Sequence, residues 1–374
     1  MAAGSTARSN ASSGSRTKRR SQAQAAVSYD WGLLTVVTAL VLLGAVMVFS
    51  ASYPSALVYR TSPFYYILRH LQWIGLGIAA LVIAARIPYT VWERWSVPLM
   101  GVGLLSLLAV RAFGEDLYGA RRTLFGGSVQ PSEPMKIILL LYISTWLASK
   151  GDRIRDINVG LIPFGVLMGI VSGLIMAQPD ISTTALLVAS ATIVFFLAGA
   201  EMKQLLTGGG VALLTFWLVI TRIPYARDRI TAAFGSIQNP LESPNWQVAQ
   251  ASEAMVKGGP VGAGLGASVE KLPGNLPLGW SDNIFAIIGE ELGLIGTLLV
   301  IFLFVLLAYR GLRIAAQTPD MFGALLAAGL TTLISLQALL HVAVSVALAP
   351  PTGIPLPFVS LGGSSLVTSM GAAG

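Results

Sequence analysis

Leu278-Gly279-Trp280-Ser281-Asp282-Asn283-Ile284-Phe285-Ala286-Ile287-Ile288-Gly289-Glu290-Glu291-Leu292-Gly293 is the stretch on which the reading of this chain turns. A segment rich in Gly and Pro ends at Asp282, and an apolar run carrying two further acids begins at once. Carboxylates at membrane depth are costly, so they face a cavity or a partner and mark a functional path. At about 100° per residue, Glu290 falls roughly 80° from the direction of Asp282 and Glu291 roughly 180° from it. The three acids therefore cannot line one cavity, and one of the pair is expected to hydrogen-bond within a helix bundle. Asp282 itself reads two ways. An Asp before an apolar helical run is a natural N-cap, and capping would lower its basicity. Desolvation at a membrane surface would raise it again.

The composition sets the surroundings of this junction. Hydrophobic residues make up 54% of the chain and charged residues 11%, with a mean hydropathy of +0.73. Soluble domains carry about 25% charged residues, so this is a polytopic membrane protein. Cys is absent, which excludes disulfides, thiolate metal sites and Cys nucleophiles. With only His70 and His341, a His-rich metal centre is not expected either. The net charge of +7 suits anionic lipid headgroups and topology signals, and no nucleic-acid partner is expected.

Spans of about 20 apolar residues, enough to cross a bilayer core, are predicted near 31–51, 69–85, 95–113, 132–149, 158–177, 181–199, 205–222, 282–309, 321–348 and 358–374. The fold class is thus all-α: about ten transmembrane helices, with a long extracytoplasmic loop at 223–281 between the seventh and eighth. Residues 1–28, polar and carrying Arg16, Lys18, Arg19 and Arg20, read as a disordered basic cytoplasmic tail rather than a secretory signal. Residues 29–374 form one transmembrane domain. The segments that would be cytoplasmic hold slightly more cations than the outer ones, which supports an inner N-terminus. The outer cations gather in 111–131 and 223–281, where a functional use could explain them.

Long ordered loops usually carry function. Within 223–281, Trp246–Val256 is expected to form a short amphipathic helix. The Gly run at 258–266 lacks the Lys-Ser/Thr and the βα setting of a phosphate loop, which argues against nucleotide binding. Gln130-Pro131-Ser132-Glu133-Pro134-Met135-Lys136 opens another helix. Ser132 is placed to cap it, and Glu133 and Lys136 are spaced to pair. Arg121 and Arg122 just upstream are rigid donors suited to pyrophosphate, and a Lys one turn into a span can serve the same ligand. Asp180, in the short turn Gln178-Pro179-Asp180, is expected to cap the next helix. Gly362-Gly363-Ser364-Ser365 leads into the last helix as close-packing positions or as donors to a cavity.

Taken in order, these stretches resemble the SEDS family (shape, elongation, division and sporulation), the FtsW/RodA polymerases of bacterial cell-wall synthesis. The likeness rests on Gly119-Ala120-Arg121-Arg122, on Gln130-Pro131-Ser132-Glu133 with Lys136, and on Gln178-Pro179-Asp180. It continues through Gly264-Leu265-Gly266, Ser281-Asp282 to Gly293, and Pro355-Leu356-Pro357-Phe358-Val359-Ser360 to Ser365. Phe49-Ser50-Ala51-Ser52 and the Arg pair lean toward the FtsW, cell-division branch. Thr123, Pro134, Ser182 and Asn283 depart from the family's common residues.

The resemblance implies a glycosyltransferase that polymerises lipid II into glycan strands on the outer face of the cytoplasmic membrane. Asp282 matches the family's essential Asp and would act as general base on a sugar hydroxyl. Arg122 and Lys136 would stabilise the departing lipid pyrophosphate, with room for Mg²⁺ or another divalent cation. Arg121, Gln130, Ser132, Glu133, Asp180, Ser360, Ser364 and Ser365 complete the expected substrate site. The implied partners are the lipid-linked nascent glycan, a class B penicillin-binding transpeptidase and other division or elongation proteins. A lipid II flippase would use intramembrane charge as well, and a non-catalytic division scaffold would not need the outer acids at all.

Overall fold

The computed structural model describes residues 29–374 apart from 61, 118–119, 125–126, 128, 223–226, 228–230 and 232–234. The basic tail at 1–28 lies outside the described residues, as does most of 223–234. Helices stand at all ten predicted positions: α1 (Trp31–Tyr59), α2 (Tyr65–Arg86), α3 (Tyr89–Phe113), α4 (Ser132–Lys150), α5 (Leu161–Met176), α6 (Ile181–Leu197) and α7 (Met202–Arg222), then α8 (Trp246–Gly258), α9 (Ile284–Gln317), α10 (Met321–Ser345) and α11 (Gly363–Ala373). The eleventh, α8, is the short helix expected inside the long loop. α1, α2, α3, α9 and α10 are long and apolar enough to cross a bilayer by length and composition. Pattern reading missed one element, an antiparallel ribbon of β1 (Glu115–Leu117) and β2 (Ala120–Thr123), in which Asp116 pairs with Arg121. Three-residue strands lie below the length at which alternation can be seen.

Two apolar cores organise the bundle. One is built on α1, α8, α9 and α11, with Leu40, Met47, Phe285, Ile288 and Met370 fully or almost fully buried. The other is built on α3 to α6, with Leu107, Leu139, Val171 and Val194. α10 contributes to both, through Ile334 and Ala338 on one side and Leu325 and Leu333 on the other. The connection from α10 to α11 does the same: Ile354 belongs to the second core, Leu356, Phe358 and Val359 to the first. This connection also runs deep. A Cβ on Gly44 would stand 2.7 Å from Val359 Cα, and Gly44 lies thirteen residues into α1, about 20 Å along its axis. Non-helical backbone is tolerated at that depth only inside protein or beside a water-filled cavity, and residues 356–360 are buried.

The long loop is anchored on a break in α9. Gly293, with φ +67, interrupts the helix and frees backbone groups that must find partners. The loop supplies them: Ala263 N–H and Gly264 N–H donate to the carbonyls of Glu290 and Glu291, while Leu294 N–H and Ile295 N–H donate to Gly259 and Pro260. The Gly run therefore serves close backbone approach. A Cβ on Gly258 would fall 1.9 Å from Gly289 O, among backbone atoms that have no rotamer to yield. Gly258→Ala is expected to cost about 3 kcal/mol through overpacking and to lower the midpoint of thermal aggregation in detergent by several degrees. An unchanged midpoint would show that α8 is only loosely seated on α9.

Glu290 and Glu291 complete this anchor. Glu290 accepts from Ser268 Oγ, from Val269 N–H at 2.8 Å and from Glu270 N–H at 3.2 Å. Glu291 is paired with Lys271 Nζ at 2.7 Å and accepts from Ser50 Oγ at 2.7 Å. Lys257 is paired with Glu270 at 2.6 Å and Glu253 at 2.9 Å. Its ammonium is held above the ordinary lysine range, first by the hydrogen bond to Glu270 and then by Glu253. Two of the cations assigned to the outer segments are thus neutralised by loop architecture, and they need no ligand to explain them.

Candidate functional site

Helix polarity brings the connections after α1, α3, α5, α7 and α10 to one end of the bundle, and the predicted site residues lie on or beside these. The mouth of α4 forms the first part. Ser132 is not the cap expected of it: Pro131 holds the N-cap position without a side-chain bond, and the Ser132 hydroxyl accepts from Gln130 Nε2 at 3.0 Å. Asp180 does cap α6, accepting from Thr183 N–H at 3.0 Å, and its other oxygen accepts from Gln130 Nε2 at 3.4 Å. Gln130 N–H donates to Ser364 Oγ at 3.0 Å. Three separate connections therefore meet at Gln130.

One turn deeper, the expected Glu133–Lys136 pair forms, with Nζ 3.0 Å from Oε1 and 2.9 Å from Oε2. Lys136 is 2% exposed. Its second acceptor is Gln337 Oε1 at 2.8 Å, and Gln337 Nε2 donates to Pro355 O at 2.9 Å and Ser365 Oγ at 3.4 Å. An ammonium has three N–H donors. Glu133 and Gln337 take two, and no acceptor for the third stands among the described residues.

Asp282 forms the other part. The helix begins at Ile284, so Asn283 rather than Asp282 stands at the N-cap position, and Asn283 Nδ2 donates to Pro277 O at 2.7 Å. Asp282 is half-exposed and accepts from Ser281 Oγ at 2.9 Å. Its Oδ2 faces Gly353, on which a Cβ would stand 3.4 Å away. Ser360 ties this part to the deep connection: its hydroxyl donates to Ser281 O at 2.7 Å and accepts from Leu356 N–H at 2.8 Å. Leu361 N–H donates to Trp280 O at 3.0 Å. Residues 353–365 therefore touch Asp282 on one side and the Lys136 network on the other.

Arg122 lies half-buried on β2, and no hydrogen bond or ion pair joins it to this network among the described residues. For Arg121 only the backbone, in β2, is described. Gln337 and His341 were missed. His341 Nδ1 donates to Ile354 O at 2.9 Å and helps hold the deep connection. Both are polar residues in a predicted span, spaced i and i+4 on one face, which was the available signal. Among the described residues no three His, Asp or Glu side chains gather into a metal cluster.

The family model FTSW_RODA_SPOVE, described as a cell cycle protein, matches residues 30–374. The probable peptidoglycan glycosyltransferase FtsW of Trichlorobacter lovleyi is 38% identical over 350 residues, covering 92% of this chain and 91% of that protein. Stage V sporulation protein E of Bacillus subtilis is 36% identical over 350 residues, covering 91% and 94%. Among solved structures, a chain from a peptidoglycan synthase complex studied for its coordination of polymerization and crosslinking superposes with a TM-score of 0.75 at 25% identity, covering 92% and 95%. The rod shape determining protein RodA of Thermus thermophilus gives 0.63 at 23% identity, covering 92% and 94%, a likeness of fold.

Proposed function

Since this chain belongs to the FtsW/RodA/SpoVE family, we propose that it is the peptidoglycan glycosyltransferase of a division-type wall synthase, polymerising lipid II at the outer face of the cytoplasmic membrane. The observation that carries this reading is the meeting of a half-exposed carboxylate and a buried ammonium network on one deep connection. In the reaction, an acceptor sugar hydroxyl attacks the anomeric carbon of a lipid-linked donor. The new C–O bond forms as the bond to pyrophosphate breaks, and the leaving group keeps the electron pair. Asp282 takes the hydroxyl proton as general base. The third N–H of Lys136 meets the negative charge that gathers on the leaving pyrophosphate. Attack opposite the leaving group, with no covalent enzyme intermediate, inverts the anomeric centre.

Arg121 and Arg122 would guide the pyrophosphate from the ribbon, as cations on a short strand can. Gln130, Ser132, Asp180, Ser364 and Ser365 shape the donor side, and Ser360 positions the Asp282 loop. A divalent cation would add charge at the pyrophosphate. The described side chains offer no cluster to hold one unaided. On this reading the N-terminus would lie in the cytoplasm, and a single-pass transpeptidase is the expected partner.

The flippase reading is weakened by one observation. Glu290 and Glu291, which could have marked a transbilayer path, are spent on holding the long loop. The deciding experiment gives the purified protein, with its cognate transpeptidase, lipid II in detergent and in vesicles. Glycan ladders on a gel are expected. Translocation of lipid II without any polymer would replace this reading with the flippase, and neither activity would leave the scaffold.

A further inference from the structure

A group of rings stands beside the Asp282 loop and plays no part in the chemistry above. Tyr66 on α2 packs against Trp280 with ring centroids 4.7 Å apart, and Tyr65 meets Tyr66 edge-on at 5.2 Å. The Arg60 guanidinium lies 4.5 Å over the Tyr65 ring. Arg60 is exposed, and Tyr65, Tyr66 and Trp280 are half-exposed. Trp280 is two residues from Asp282, no more than about 7 Å along the chain.

A belt of aromatic residues is expected wherever a membrane protein meets the water interface, and the Phe49–Phe64 stack with neighbouring Tyr53 fits that description. The Tyr66–Trp280 pair differs from it. Trp280 is fixed by the Leu361 N–H bond to its carbonyl. The face of α2 that carries Tyr66 continues through Trp73, which lies against Gly363, and Gly77, which lies against Met370. That face therefore looks toward the site connection and α11, away from lipid. His70, fully buried on the same face between Tyr66 and Trp73, has no partner for either ring nitrogen among the described residues. Flat rings capped by an exposed guanidinium suit a pyranose that carries carboxylates: the C–H face of the sugar stacks on the rings, and the cation meets the acid.

We propose that Arg60, Tyr65, Tyr66 and Trp280 form a platform that holds the acidic glycan strand beside Asp282, so that the strand stays bound between additions and grows long. This rests on the glycosyltransferase reading, but it is tested separately. The probe is a soluble disaccharide-peptide tetrasaccharide released from peptidoglycan by muramidase, bound to the full-length Asp282→Asn protein in detergent. Arg60→Gln removes an exposed charge and its contact with the Tyr65 ring while leaving the buried core untouched, and Tyr66→Leu removes a ring. Each is expected to weaken binding by about fivefold or more and, in the Asp282 background, to shorten glycan strands severalfold. Unchanged binding and strand length in Arg60→Gln would overturn the platform, even if Tyr66→Leu failed to fold. A lower melting midpoint in Tyr66→Leu with unaltered binding would make the rings an interfacial anchor only. Polymer from wild type with strands of full length in both variants would sink the platform and leave the enzyme. Variant-sensitive binding without any polymer from wild type would do the reverse.

Discussion

Asp282→Asn is expected to abolish measurable lipid II polymerisation, a loss of about 10³-fold in kcat, within the range that a positioned general base supplies. The substitution isolates chemistry from architecture. The Asn carbonyl can still accept from Ser281 Oγ, and the N-cap position belongs to Asn283, so α9 should start where it does now. The backbone bonds of Ser281 and Trp280 to Ser360 and Leu361 do not involve the carboxylate. What disappears is the carboxylate's charge, and with it the ability to take a proton from the attacking hydroxyl. Glycan ladders at equal protein, with a thermal melt beside them, make the measurement. A variant that melts normally and polymerises within tenfold of wild type would show that Asp282 is not the base.

The second large effect is expected at Lys136, and it acts on stability and activity together. Lys136→Met leaves Glu133 buried without its cation and Gln337 without its donor. Removing one partner of a buried pair costs about 3–5 kcal/mol, mostly through the charge left behind. The same change withdraws the positive group proposed for the leaving pyrophosphate, and a single preorganised electrostatic donor is worth about 10²–10³ in rate. The double variant Glu133→Gln with Lys136→Met separates the two. Neutralising both members should restore most of the melting temperature while activity stays low. Recovery of polymerisation together with stability would reduce Lys136 to a structural ion pair.

Much of this arrangement is legible in the sequence, for definite physical reasons. Helix periodicity and span length placed the ten helices, because both are local properties of sequence. The Glu133–Lys136 pair and the Asp180 cap were legible for the same reason: each needs only the three or four residues around it. Asp282 stood out as an acid at a loop-to-helix boundary. The failures share a different cause. The bonds of Glu291 to Ser50 and Lys271 join residues more than two hundred positions apart on one side and twenty on the other, and no local pattern announces them. The run from Gly258 to Gly266 showed only what it is not, a phosphate loop; its closure on the broken helix α9 depends on backbone that comes near only through the fold. Ser132 was read as a cap on residue type alone, and the competing acceptor role toward Gln130 won. Gln337 and His341 show a signal that was present and unused, two polar side chains one turn apart inside an apolar helix.

The deep connection between α10 and α11 has a consequence for biogenesis. While the chain is being made, Lys136, Asp180 and Asp282 all leave the ribosome before residues 353–365 exist. Until that segment has been threaded between the two halves of the bundle, nothing holds Asp282 against Gly353 or Ser281 against Ser360, and Gln337 has no carbonyl at Pro355 to receive its amide. A nascent chain in the translocon thus carries every proposed catalytic side chain and still lacks an assembled site. On the proposed reading, polymer synthesis can begin only after residues 353–365 have been inserted.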